Sequence, residues 1–337
     1  LMRLLRPLLN WDGLLAVLTL LTLLYATLAV PNFATSFNIS QAIAGVSEKA
    51  LLVLPMALLM ITREIDLSVA SMLALSSVVL GALIQADVPL AIALPIVLVV
   101  GAVAGLINGL LVTRLALSSL VVTLGTMALF RGIGYVILGS ASVNVLPDVL
   151  TDFGINTVLG NVLPWTIVPF LVLAPIFVVV LHRTPIGRRI YAVGGNPETA
   201  RYSGIDGKTL RLMLFVVSGL VSAVAGIVFT ARLSNARADN AVGFELDVIT
   251  VALLGGINVF GGRGNLAGVF WALALVAVLR NVLGLSQIGG DAQGIVIGSL
   301  LIVSLLASNV VQSLVAAAQW RKTVKAQQRD TAPASRR

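Results

Sequence analysis

Pro89-Leu-Ala-Ile-Ala-Leu-Pro-Ile-Val-Leu-Val-Val-Gly-Ala-Val-Ala-Gly-Leu-Ile-Asn-Gly-Leu-Leu111 runs for 23 residues without a single charge. A helix needs about 20 largely apolar residues to cross a bilayer, and this stretch supplies them. Its apolar residues are continuous, whereas barrel strands alternate over about 10 residues, so the reading is helix. Working outward, comparable runs lie at 13–30, 43–61, 67–85, 117–138, 163–181, 212–231, 246–260, 266–283 and 293–312. With 89–111 they predict an all-α polytopic membrane protein of about ten transmembrane helices. Composition agrees, since the 337 residues are 58% apolar and 11% charged, where a soluble domain carries roughly 45–50% and about 25%. One transmembrane domain over 1–318 is expected, followed by a disordered basic cytoplasmic tail over 319–337.

The net charge of +8 would suggest nucleic acid in a soluble protein. Here the basic residues are read first against the bilayer, and no nucleic-acid partner is expected. With the N-terminus inside, 17 of the 22 Lys and Arg fall in cytoplasmic segments, including Arg63, Arg114, Arg183, Arg188, Arg189, Arg201, Lys208, Arg211 and Arg263. Only Arg232 and Arg237 fall outside; Lys49, Arg131 and Arg280 lie within or at the edges of spans. Loop 139–162 carries Asp148 and Asp152 and no Lys or Arg, as an external loop should, so both termini are expected in the cytoplasm. Arg3 and Arg6 before an apolar run resemble a signal peptide, but the run exceeds the usual ~7–15 residues. It reads as a retained first helix.

Cysteine is absent and His182 is the only histidine, which excludes thiol chemistry and offers no metal cluster. Glu64-Ile-Asp66-Leu-Ser-Val and Glu245-Leu-Asp247-Val-Ile-Thr each open a pair of spans that leads to an Asn, Asn108 or Asn281. The match reads either as an internal repeat of the kind transporters carry or as chance similarity between apolar segments. Glu64, Asp66, Glu245 and Asp247 are expected to cap helix N-termini. Arg131 and Arg280 either pair with carboxylates or snorkel to an interface.

The basic segment 182–211 is longer than a connection between two helices requires. Asn196 suits an N-cap, Pro197 the first helical position and Glu198 the positive end of the dipole, which predicts a short helix from Pro197 to about Ser203, stopped by Gly204. A second turn is expected around Gly187–Ala192. Two small helices lying on the membrane surface suit a docking element for a cytoplasmic partner; a plain basic loop that enforces topology is the competing reading.

Taken together, Gly187–Ile205, Ile65-Asp66-Leu-Ser-Val, Val122-Thr-Leu-Gly-Thr-Met127 with Arg131-Gly132, and Leu254-Gly-Gly-Ile-Asn-Val-Phe-Gly-Gly-Arg-Gly264 resemble the permease subunits of sugar-importing ABC transporters. The group is that of ribose, galactose, arabinose, xylose, rhamnose and autoinducer 2. The resemblance covers roughly residues 10–315. It implies an inner-membrane permease, not an enzyme, that imports a monosaccharide or related polyol-like solute. A separate ATPase subunit binds ATP and Mg, a periplasmic binding protein delivers the solute, and a second permease copy or a homologue completes the path.

By position, the ATPase-docking loop holds Gly187, Arg188, Arg189, Gly194, Asn196, Pro197, Glu198, Ala200 and Gly204. Gly207-Lys208-Thr209 is no phosphate loop, because Tyr202 occupies the upstream Gly position. Thr62-Arg63-Glu64 replaces the usual glycines before Ile65-Asp66, and Ala70 the Gly after Ser-Val. These glycine replacements do not decide the substrate, but Arg63-Glu64, together with Ala236-Arg-Ala-Asp-Asn240 and Phe244-Glu-Leu-Asp-Val-Ile249, looks closer to rhamnose or autoinducer 2 permeases than to ribose ones. Arg232 and Arg237 are candidates for contacting the binding protein, or they neutralise Asp239 and Glu245 locally. Asn108, Thr123, Thr126, Asn258 and Asn281 are candidate pathway residues. A secondary transporter or facilitator is the competing class; it needs a carboxylate buried within the membrane, and the sequence places none of the fourteen acidic residues there convincingly.

Overall fold

The computed structural model describes residues 11–158, 161–290, 292–300 and 302–303. The helices are α1 (Trp11–Ala29), α2 (Ser36–Ala44), α3 (Ser47–Ile61), α4 (Val69–Gln85), α5 (Leu90–Thr113), α6 (Ser119–Leu138), α7 (Asp148–Ile155), α8 (Val168–Arg183), α9 (Pro185–Gly195), α10 (Pro197–Tyr202), α11 (Gly207–Leu233), α12 (Phe244–Leu254) and α13 (Leu266–Leu285). Two-residue strands β1 (Thr157–Val158) and β2 (Leu163–Pro164) pair antiparallel after α7. A further helical segment over 292–300 belongs to a separate compact unit that begins at Gly290. Among the described residues, six helices are long and apolar enough to cross a membrane, or seven if α2 and α3, bent by 40°, form one span. The N-terminal basic residues Arg3 and Arg6, the end of the tenth predicted span and the tail 319–337 lie outside the described residues.

Every predicted span contains a helix, with two differences. The second span begins at Ser47 and is preceded by α2, which Thr35 caps by accepting the Asn38 amide. The eighth span, expected over 246–260, is a helix of only 11 residues that stops at Leu254. Gly255 ends it and Gly256 takes φ +85°, a left-handed turn that a side chain would resist. Hydropathy continues through Ile257, Val259 and Phe260, so an apolar count alone could not see the stop.

The core is α3, in which every residue except Lys49 is buried, together with α4, buried along most of its length. The 27-residue α11 packs along both and along α5. Gly105 faces the Phe215 carbonyl and Gly219 faces that of Gly101, so a Cβ at either position would collide with backbone. In lipid, where apolar burial drives association little, such close approach is what holds helices together.

Helix directions give the bundle two ends. Arg63, the segment 183–211 and Arg263 gather where α3 ends and α11 begins, as the charge pattern requires. The other end carries the start of α3, the end of α11, α7 and the start of α12. The two repeated motifs stand at opposite ends of α3: Asp66 follows its C-terminus, whereas Asp247 meets Lys49 at its N-terminus at 2.7 Å.

Candidate functional site

At the basic end, α9 and α10 form a two-helix surface element. Asn196 links them, accepting the amides of Glu198 and Thr199 at 3.0 Å each while Pro197 takes the first helical position. The predicted short helix therefore forms, and the expected turn around Gly187–Ala192 is a complete helix. The inner side of α9 is Gly187, Ile190, Val193 and Gly194, all buried. Gly194 lies so close to the Ile61 carbonyl that any Cβ would overlap it. Outward stand Ile186, Arg188, Arg189, Glu198, Arg201 and a 90% exposed Tyr202, while Ala200 turns inward. Gly204 takes φ +80° and lets the chain leave α10.

Three bonds fasten this element to the bundle. Arg63 Nε donates to the Gly194 carbonyl at 2.7 Å and Arg63 Nη2 to that of Gly195 at 2.6 Å. Tyr191 Oη donates to the Gly264 carbonyl at 2.8 Å. The Gly262 amide, in the glycine turn after α12, donates to the Ile61 carbonyl at 2.8 Å. Helix α9 is thus tied to the turn at the end of α3 through Arg63 and to the start of α13 through Tyr191. Asp206 begins the return into α11, and the Thr209 hydroxyl together with the Thr209 and Lys208 amides holds its carboxyl below the usual range.

Behind this surface the turn 62–68 enters the bundle and collects polar groups. Glu64 pairs with Arg211 of α11 at 3.0 Å. Asp66 is fully buried; its Oδ1 accepts the Ser68 amide at 3.0 Å and the Ser68 hydroxyl at 2.6 Å, and its Oδ2 accepts the Ser218 hydroxyl of α11 at 2.9 Å. Asn108 of α5 donates to Ser68 Oγ at 2.7 Å. Thr123 Oγ1 accepts the Leu67 amide at 3.1 Å, and Ser119 Oγ accepts that of Ile65 at 3.3 Å. Thr126 lies buried one turn beyond Thr123.

Thus Asn108 and Thr123 are bonded to the turn, while Thr126 bonds only to the Thr123 carbonyl in its own helix. Asn258 and Asn281 do not join them. Asn258 caps the glycine turn by accepting the Phe260 amide at 2.8 Å. Asn281 exchanges two 2.9 Å bonds with Asn38 at the opposite end, beside a cavity of about 590 Å³ between α1, α2, α8 and α13. That cavity is apolar apart from Thr27 and the two mutually paired amides, which leaves a hydroxylated solute almost nothing to bind.

The acidic residues do more than cap. Asp247 is shared by Lys49 at 2.7 Å and Arg280 at 2.6 Å, joining α12, α3 and α13, so capping understates its role and Arg280 takes the carboxylate alternative. Glu64 is an ion-pair partner and no cap. Arg131 does neither of the things expected of it: its Nη1 donates to the carbonyls of Ala238 at 2.8 Å and Asn240 at 2.5 Å, fixing the segment before α12. Arg237 clasps Asp239 through two 2.8 Å bonds, as local neutralisation required, and that clasp holds the Asp239 carboxyl below its ordinary range. Arg232, by contrast, pairs with fully buried Glu48 at 2.7 Å, and not with Glu245. Asp66 is fully buried in the turn between α3 and α4, outside the helices themselves. The sequence reading missed Arg63, Tyr191 and Ser218; a serine in an apolar span and an arginine in a turn carry no signal of what they touch.

A bundle of apolar helices around a buried polar turn, with a surface helix pair at its basic end, defines a membrane transport subunit. Residues 38–305 match the family described as branched-chain amino acid transport system / permease component, and the chain belongs to that family. It is similar to the autoinducer 2 import system permease protein LsrD of Yersinia enterocolitica, at 35% identity over 76% of this chain and 79% of the relative. It is likewise similar to the ribose import permease protein RbsC of Haemophilus influenzae, at 33% identity over 83% and 87%. RbsC of Escherichia coli is 33% identical over 90% and 95%. No solved structure matches the chain. The resemblance drawn from the motifs holds at the level of the family.

Proposed function

We propose that this chain is the permease subunit of an ATP-driven, binding-protein-dependent importer of a monosaccharide or related small polyol-like solute. The observation that carries this reading is the α9–α10 element, fastened to the core through Arg63, Tyr191 and Gly194 yet turning Arg188, Arg189, Glu198, Arg201 and Tyr202 outward. A surface held rigidly on one side and left unfilled on the other suits a separate ATPase subunit, which binds ATP and Mg. Closure of two ATPases then pushes α10, α9 follows, and Arg63 and the glycine turn carry the displacement to the end of α3. Two permease copies, identical or homologous, alternate the access of the path between them. A periplasmic binding protein delivers the solute at the opposite end, where Arg237, exposed in its pair with Asp239, is the candidate contact and Arg232 is engaged by buried Glu48. Both termini and the 182–211 loop lie on the cytoplasmic side of the inner membrane in this reading, and 319–337 forms a basic tail.

Rhamnose or an autoinducer 2 type solute is favoured over ribose by Arg63-Glu64 together with Ala236-Arg-Ala-Asp-Asn240 and Phe244-Glu-Leu-Asp-Val-Ile249. The test is uptake into proteoliposomes holding the chain, its co-expressed ATPase and the binding protein, with labelled rhamnose, autoinducer 2 and ribose. Uptake of one of the three that requires internal ATP supports the reading. Uptake down a gradient by the chain alone contradicts it and favours a facilitator.

A further inference from the structure

Two carboxylates enter the bundle on the same turn and meet different fates. Glu64 has a guanidinium, that of Arg211, at 3.0 Å. Asp66, two residues on and fully buried, has three neutral partners: the Ser68 amide, the Ser68 hydroxyl and the Ser218 hydroxyl. Among the described residues, the elements packed around it offer no cation. Alpha helix α5 presents Asn108, α6 presents Ser119 and Thr123, α4 presents Ser71, and α11 presents Ser218. Arg211 of α11 is engaged by Glu64, and Arg63 of the same turn reaches away to the Gly194 and Gly195 carbonyls. Beside the cluster, Asn108 is 0% exposed and its Oδ1 has no partner.

An ionised carboxylate without a cation is the arrangement that burial opposes most strongly, and such a group neutralises by taking up a proton. We propose that Asp66 is a proton-binding site, carrying its proton on Oδ2 in this conformation. Oδ1 is saturated by the Ser68 amide and hydroxyl, so Oδ2 is the oxygen left to protonate. The 2.9 Å contact with Ser218 Oγ, which the ionised carboxylate would accept, is then one that the acid's O–H donates. The site takes one proton and forms no other bond. Because the turn is tied through Arg63 to α9, any conformation that draws the turn from α11 separates Asp66 from Ser218 and opens the acid to exchange. This places a proton-exchanging group in the segment that joins the surface element to the core, and it stands whether or not an ATPase drives the chain.

Infrared difference spectroscopy on the full chain in lipid tests it without any partner. Wild type minus Asp66→Asn, recorded at neutral pH, is expected to show loss of one carboxylic-acid carbonyl stretch that shifts in heavy water. Asn retains the acceptor for the Ser68 amide and hydroxyl, so the fold survives the change. Ser218→Ala, which removes the partner of Oδ2 and leaves the acid in place, is expected to shift the same band to higher frequency without abolishing it; this variant also serves if Asp66→Asn does not fold. The proposal is overturned if Asp66→Asn removes only carboxylate bands, or if the acid band disappears on adding sodium or potassium, which would make the occupant a metal cation.

Discussion

Replacing Arg63 by glycine separates coupling from stability. Its two bonds to the Gly194 and Gly195 carbonyls, at 2.7 and 2.6 Å, join a charged donor to neutral acceptors, a type that contributes about 1.5–3 kcal/mol each. The side chain is largely exposed, so the pair is discounted to about 2 kcal/mol in total. Arg63 also sits at φ +70°, and glycine relieves about 1 kcal/mol of that strain. The net loss of fold stability is therefore about 1 kcal/mol, and the unfolding midpoint in detergent stays within a few degrees of wild type. The tie of α9 to the turn loses the full ~2 kcal/mol, about a 30-fold shift between engaged and disengaged positions at 1.4 kcal/mol per decade. Solute imported per ATP hydrolysed, measured in proteoliposomes with the ATPase present, is expected to fall at least tenfold while hydrolysis continues. Unchanged coupling in a folded Arg63→Gly protein would refute the route through this residue.

Four further outcomes follow from the geometry. Gly194→Ala forces a Cβ into the Ile61 carbonyl and is expected to cost about 1–3 kcal/mol of stability by overpacking, read as a lowered thermal midpoint. Arg232→Met leaves Glu48 buried and unpaired, at about 3–5 kcal/mol, and adding Glu48→Gln restores most of the midpoint; equal midpoints for the single and double variants would contradict the pairing. Arg237→Ala removes an exposed pair with Asp239 and leaves the midpoint unchanged, as surface pairs do. The carboxyl of Asp206 is held below its ordinary value when folded, so its stabilisation of the start of α11 is complete above about pH 4 and is lost as pH falls further. Amide exchange at Lys208 and Thr209 should accelerate below that pH and stay fast at all pH in Asp206→Ala.

Hydropathy made the spans legible because lipid forces every crossing to be apolar and helical. It overran at 246–260, where backbone conformation at Gly255 and Gly256, and no change of polarity, ends the helix. The surface helix pair was legible because Asn196, Pro197 and Glu198 carry local capping chemistry. What fastens it was not, because Arg63 lies more than 130 residues from Gly194 and pairs with carbonyls that every sequence possesses. The buried cluster was half legible: Asp66 and Asn108 stood out as polar residues among apolar ones, while Ser218 did not. The ion pairs Glu48 with Arg232 and Asp247 with Lys49 and Arg280 depend on which helix ends meet, and charge counting cannot supply that.

The central claim is that the outward side of α9–α10 is where an ATPase subunit sits. The chain has no cysteine, so Tyr202→Cys, at a position 90% exposed, can be labelled alone with a membrane-impermeant thiol reagent in inside-out vesicles. The account predicts rapid labelling of the permease by itself and at least a tenfold slower rate once the co-expressed ATPase is bound. Equal labelling of Tyr202→Cys with and without the bound ATPase would contradict it.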